Sequence, residues 1–143
     1  MRTYHKLILS LTVLIAVIIF KLFNCILLGM INYESAFNIN LSKYDGICVY
    51  NNKYIYNTCL SGKTLLACSK NNKRILVVLS KKFNNTEISN LVDVFNIKNK
   101  VIISTQGIQK LMSIIAKCNK VDVNTLNVFF SVKKGKINKI WLL

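Results

Sequence analysis

Residues 7–31 confine this chain more than any other stretch, because 17 of those 25 positions are Leu, Ile, Val or Phe. At ~1.5 Å rise per residue, a helix of that length reaches about 37 Å, enough to cross a hydrocarbon core of ~30 Å with some tilt. Lys21 and Asn24 interrupt it. A central Lys opposes insertion by about 2.5–3.5 kcal/mol, but the strong apolar residues together favour it by roughly 7 kcal/mol, so insertion wins. A cleaved signal peptide is the alternative, with Arg2, His5 and Lys6 as a basic n-region and Leu7–Phe20 as an h-region. It fails at the cut: Lys21–Cys25 offers no small residues, and Glu34-Ser35-Ala36 places an acid where a small side chain is needed. The segment is therefore expected to stay as an uncleaved transmembrane signal anchor.

That expectation divides the chain into an N-terminal tail (1–6), the anchor (7–31), a polar stalk (32–45) and a single domain (46–143). Arg2 and Lys6 flank the anchor on one side, whereas Asn32–Tyr50 holds Lys43 against Glu34 and Asp45. Lys and Arg near a span set its orientation. The predicted localisation is a single-pass membrane protein, N-terminus cytoplasmic and C-terminal domain extracytoplasmic. Lys21 and Asn24 are then candidate intramembrane contacts, because an ionisable residue in a span tends to meet a carboxylate on another helix. The plainer alternative is a Lys21 stem that snorkels to an interface.

Beyond Ile31 there are 17 Lys and Arg against 5 Asp and Glu, a balance of +12. Such a charge suits nucleic acid or an anionic membrane surface. Yet phosphate and base recognition favours arginine, and Arg74 is the only one beyond residue 2. The 18 Lys and 18 Asn read as compositional drift with a solvated surface, so nucleic acid is not the expected partner. Cys48, Cys59, Cys68 and Cys118 form an even set that permits two disulfides, with three connectivities open; buried thiols are the alternative. There is no C-x-x-C, and His5 is the only histidine. No dithiol, zinc knuckle or imidazole-based site is signalled. Gly62-Lys63-Thr64 imitates the end of a phosphate loop, but Asn57 stands where its upstream glycine belongs. No cofactor, metal or small-molecule substrate is expected.

Along the body, Ile47–Tyr50 and Lys53–Tyr56 flank Asn51-Asn52 and read as a hairpin. Tyr50, Tyr54 and Tyr56 would be its surface-contact candidates, with cross-strand packing as the alternative. Thr64–Ser69 and Arg74–Ser80 are further apolar runs. Ile75–Leu79 is continuous rather than alternating, as a central strand covered on both faces would be. Asn84 and Glu87 form a capping box for a helix over 85–96, with Ile88, Leu91, Val92 and Phe95 on one face. Lys100–Ser104 is a short strand. Thr105 caps a second helix carrying Ile108, Leu111, Met112, Ile115 and Cys118 on one stripe, with Gly107 weakening its first turn. Leu126–Val132 and Ile137–Leu143 close the chain as a hairpin turning at Gly135. The expected fold class is mixed α/β: a central sheet, two helices and terminal hairpins.

The order strand, helix, strand, helix, strand, strand from Arg74 onward, with Val128–Val132 and Gly135-Lys136-Ile137 closing it, resembles the thioredoxin fold. That resemblance implies a membrane-anchored thioredoxin-like domain. The family's redox pair would open the first helix, where this chain has Phe83-Asn84-Asn85-Thr86, and its cis-proline has no counterpart in a chain without Pro. The implied domain is therefore degenerate, without dithiol activity. The first 62 residues carry a second resemblance: an anchor, a short stalk, Ile47-Cys48-Val49, Tyr56-Asn57 and Ser61-Gly62 look like the small anchored subunits of the poxvirus membrane-fusion complex. That implies an envelope protein acting through partner proteins, although only Cys118 remains where the family's later cysteines would fall. The functional expectation is a non-catalytic anchored protein that works by contacts with other membrane proteins. The alternatives are the degenerate thioredoxin-like domain and a basic protein that binds anionic lipid or nucleic acid.

Overall fold

A computed structural model describes residues 2–51, 73–95 and 100–143 of the chain. The apolar stretch forms helix α1 (Arg2–Met30), long and apolar enough to cross a membrane. Its hydroxyl side chains turn inward on the backbone: Ser10 Oγ donates to the Leu7 carbonyl and Thr12 Oγ1 to the Leu9 carbonyl, each at 2.8 Å. Such bonds spare the hydroxyls from lying unpaired in an apolar medium. From Leu7 to Ile26 the large apolar side chains are 47–68 % exposed. Shielding starts at the helix end, where Leu27 and Leu28 are half-buried and Leu28 packs on the domain core.

The polar segment that follows is not a stalk. Asn32 caps helix α2 (Tyr33–Phe37) by accepting from Ser35 N–H at 3.1 Å, and Asn38 closes it in the left-handed region at φ 53°. Asn40 caps a 3₁₀ turn (Leu41–Lys43), and Glu34 Oε1 accepts from Leu41 N–H at 2.9 Å. The polar residues of 32–45 thus spend their side chains on backbone donors. The apolar ones go inside: Phe37 is 1 % and Leu41 3 % exposed. Phe37 meets Phe130 edge-on at 5.4 Å, and Tyr33 meets the same ring at 6.1 Å. The domain therefore begins at the end of α1.

Among the described residues, five strands make one mixed sheet in the order β3-β2-β1-β4-β5, where β1 is Gly46–Tyr50, β2 Ile75–Leu79, β3 Val101–Ile103, β4 Asn127–Lys133 and β5 Lys136–Leu142. β1 lies parallel to β2, β2 parallel to β3, and β4 runs antiparallel to both β1 and β5. Ile75–Leu79 is buried throughout, as its continuous apolar character predicts. The central position nevertheless belongs to β1. Both its edges are occupied along its full length, by β2 and by β4. The second half of the hairpin expected at Lys53–Tyr56, like the run 64–69, lies outside the described residues.

Side chains alternate across the sheet to build two cores. On one face Ile47, Val49, Leu76, Val78, Val128 and Phe130 pack with Phe37, Leu41 and helix α4 (Gln106–Asn119). On the other, Cys48, Tyr50, Ile75, Val77 and Leu79 pack with Phe83 and with Ile88 of helix α3 (Asn85–Phe95). The capping box of α3 is reciprocal: Asn84 N–H donates to Glu87 Oε2 and Glu87 N–H to Asn84 Oδ1, both at 2.8 Å. Thr105 caps α4, whose expected stripe Ile108, Leu111, Met112, Ile115 and Cys118 is buried. The closing hairpin turns on Lys134 and Gly135, both at positive φ. A bulge at Asn138 lets Ile137 and Ile140 face the same core, and Ser131 Oγ accepts the Lys139 N–H at 3.1 Å.

Gly107 looks like a weakness in α4 until its neighbour is seen. A Cβ there would stand 2.9 Å from the Ala36 carbonyl oxygen of α2. Gly107→Ala gains up to ~1 kcal/mol of helix propensity but drives α2 off α4. The expected net outcome is a loss of about 1–3 kcal/mol, read as a lower midpoint in thermal unfolding of the detergent-solubilised chain.

Candidate functional site

The strand order creates a crevice. From β1 the chain steps outward to β2 and β3, then returns to the other edge of β1 as β4. Where a sheet is wound in both directions from one strand, the segments at the strand ends separate, and ligands settle at the carboxyl ends. A cavity of about 280 Å³ occupies that place, lined by Asn51, Ser80, Lys82, Gln109, Ser113, Val123 and Asn124. Asn51 follows β1 and Ser80 follows β2, so pairing of the two strands brings them together.

Its polar groups are held in place by local bonds. Asn51 N–H donates to Asn127 Oδ1 at 3.1 Å, and Asn51 Nδ2 donates to the Val123 carbonyl at 3.0 Å. Ser80, only 8 % exposed, donates its N–H to the Tyr50 carbonyl and accepts at Oγ from Lys82 N–H at 3.3 Å. Lys82 Nζ donates to Asn124 Oδ1 at 2.7 Å, and Asp122 Oδ1 accepts from the backbone N–H and Nδ2 of Asn124 at 2.9 and 3.1 Å. The crevice thus offers one ammonium, two hydroxyls and amides of both polarities, a set suited to hydrogen-bonding a polar guest.

At the opposite end of the sheet lies a shallow cleft bordered by Asp45, Lys73, Ser131, Lys133, Lys139 and Trp141. Trp141 stacks on Phe129 with centroids 5.5 Å apart. Asp45 is not an unclaimed carboxylate there. Arg74 Nη2 meets Asp45 Oδ1 at 3.1 Å, Arg74 Nε meets Oδ2 at 3.3 Å, and Arg74 N–H donates to Oδ2 at 2.9 Å. The side-chain bonds to Arg74, then its backbone bond, hold the Asp45 pKa below the usual carboxylate range. Burial raises that of Tyr33, whose hydroxyl donates to the Leu28 carbonyl at 2.8 Å.

The residues singled out in the sequence are scattered. Lys21 is exposed on α1; Asn24 lies on the same helix, its side chain outside the described residues. Tyr50 is not a surface contact. It is 0 % exposed, because a central strand covered on both faces buries both of its alternating sets. Tyr54, Tyr56, Cys59 and Cys68 lie outside the described residues. Cys48 and Cys118 are both buried. Cys48 packs on the α3 face while Cys118 belongs to α4 on the other. Among the described residues, no three His, Cys, Asp or Glu side chains converge as a metal would need. The crevice residues escaped notice because each is an ordinary polar residue after a strand or on a helix; the strand order brings them together.

The Asp45–Arg74 fork yields a pH prediction. Because the folded-state pKa is depressed, its stabilisation is full above the unfolded value of about 3.9 and is lost as pH falls through the lower folded value. The pair is solvent-accessible, so water and salt screen it and its contribution to stability is small. Urea titrations are expected to show Asp45→Asn less stable than the parent at pH 6, with the gap closing as pH drops below about 4.

Comparison with known proteins places the chain in no group: no protein-family model, curated protein or solved structure matches it.

Proposed function

We propose that the chain is a single-pass membrane protein whose α1 spans the bilayer, N-terminus on the cytoplasmic side, and whose non-catalytic domain works through contacts with other membrane proteins. The observation that carries this reading is the exposure of α1. A face-to-face soluble partner would need to cover the helix all round, since large apolar side chains are open at Leu7, Ile8, Leu9 and Leu11 and onward to Ile26. Lipid does so without further design. Lys21 lies well inside the span, where an ammonium favours a carboxylate on a neighbouring helix. That makes it the intramembrane contact of this reading.

The thioredoxin-like alternative draws on the element run β2-α3-β3-α4-β4-β5, which is the order that the resemblance implies. It is the weaker reading, since β1 sits between β2 and β4 and Asn84 serves as a cap where the redox pair would stand.

Membranes carrying the full chain test the proposal. Extraction with alkaline carbonate is expected to leave it in the pellet, and a photo-crosslinker at position 21 to capture a second membrane protein. Release of the chain into the supernatant, or crosslinks to lipid alone, would count against the anchored, partner-dependent role.

A further inference from the structure

We propose that the crevice at the carboxyl ends of β1 and β2 binds a small solute that carries one anionic group, carboxylate or phosphate, with hydroxyls beside it. The position follows from the winding of the sheet, and the chemistry from what the lining leaves unspent. Lys82 Nζ has a neutral amide, Asn124 Oδ1, as its partner at 2.7 Å. An ammonium carries three donors, so its charge and two N–H groups stay available to an anion. Asp122 steadies this arrangement through Asn124 rather than by neutralising the lysine.

The remaining groups specify what accompanies the anion. Asn51 commits Nδ2 to the Val123 carbonyl, which turns its Oδ1 into an acceptor for a ligand hydroxyl. Ser80 Oγ accepts from Lys82 N–H and keeps its own proton to give. The half-buried Ser113 hydroxyl lines the cavity from α4, beside Gln109. A purely apolar guest would leave these polar groups without partners and is disfavoured. The volume, about 280 Å³, sits at the lower edge of the ~300–1,000 Å³ typical of ligand sites. That volume suits a hydroxy acid or a sugar phosphate.

Two-dimensional amide NMR of the full-length ¹⁵N-labelled chain in detergent micelles, at constant ionic strength, provides the test. D-gluconate, D-glucose 6-phosphate and neutral D-glucose serve as probes. Saturable shifts centred on Asn51, Ser80 and Ser113 are expected with at least one anionic probe and not with glucose. A response to gluconate alone identifies the carboxylate, and one to the sugar phosphate alone identifies the phosphate. Lys82→Met is expected to weaken binding at least tenfold and Ser113→Ala about threefold, while amides away from the crevice keep their positions. The proposal is overturned by any of three results. They are no saturation with either anion, an equal response to glucose, or shifts spread over Lys133–Lys139 that Lys82→Met leaves unchanged.

Discussion

The Phe130 ring is the contact on which the rest of the molecule depends. It projects from β4 into the α4-side core and receives Phe37 edge-on at 5.4 Å and Tyr33 at 6.1 Å. Aromatic edge-to-face pairs add about 0.5–1.5 kcal/mol beyond the area they bury. Both rings belong to α2 and tie it to β4, and Tyr33 also ties in the end of α1. Tyr33 reaches back to the Leu28 carbonyl while packing on Phe130. The end of α1, helix α2 and the sheet are consequently joined without a slack tether. In the anchored reading proposed above, that joining would hold the domain at a set distance and attitude to the membrane.

The second constraint is the central place of β1. Gly46 opens that strand, and a Cβ at this position would stand 2.6 Å from the Phe129 ring. A side chain there would have to push aside the Phe129 ring of β4, which lies over the backbone. From Ile47 to Tyr50 each side chain is buried, odd positions against α4 and even positions against the α3 face. Both neighbours of β1 are distant in sequence, so its place in the sheet comes from long-range pairing, whereas β4 and β5 meet through a local hairpin. The same arrangement opens the polar crevice at one end of β1 and sets the Asp45–Arg74 fork at the other. One winding decision thus produces both the core and the polar crevice beside it.

Much of the local structure was legible in the residues. Asn84 with Glu87, Thr105 with its apolar stripe, and Gly135 between two β-rich runs specify their elements by chemistry confined to a few neighbours. The strand order was not legible, because nothing in Ile47–Tyr50 states that its partners are Ile75–Leu79 and Asn127–Ser131. Residues 32–45 misled for a related reason. Asparagine and serine serve as helix caps and as solvated linkers alike, and only the burial of Phe37 and Leu41 separates the two uses. Tyr50 was misjudged because alternation with Val49 looks the same in a one-sided hairpin as in a strand with two covered faces. The crevice depends wholly on the order of strands, so its residues carried no advance signal.

Hydrogen exchange of the full chain in lipid bicelles tests the central claim most directly. If residues 33–41 belong to the core, the amides of Phe37, Ile39 and Leu41 will exchange with protection approaching that of Val49 and Val128. Exchange at the rate of an unstructured peptide over 33–41, with Val49 still protected, would show instead a flexible tether and a domain that starts only at β1.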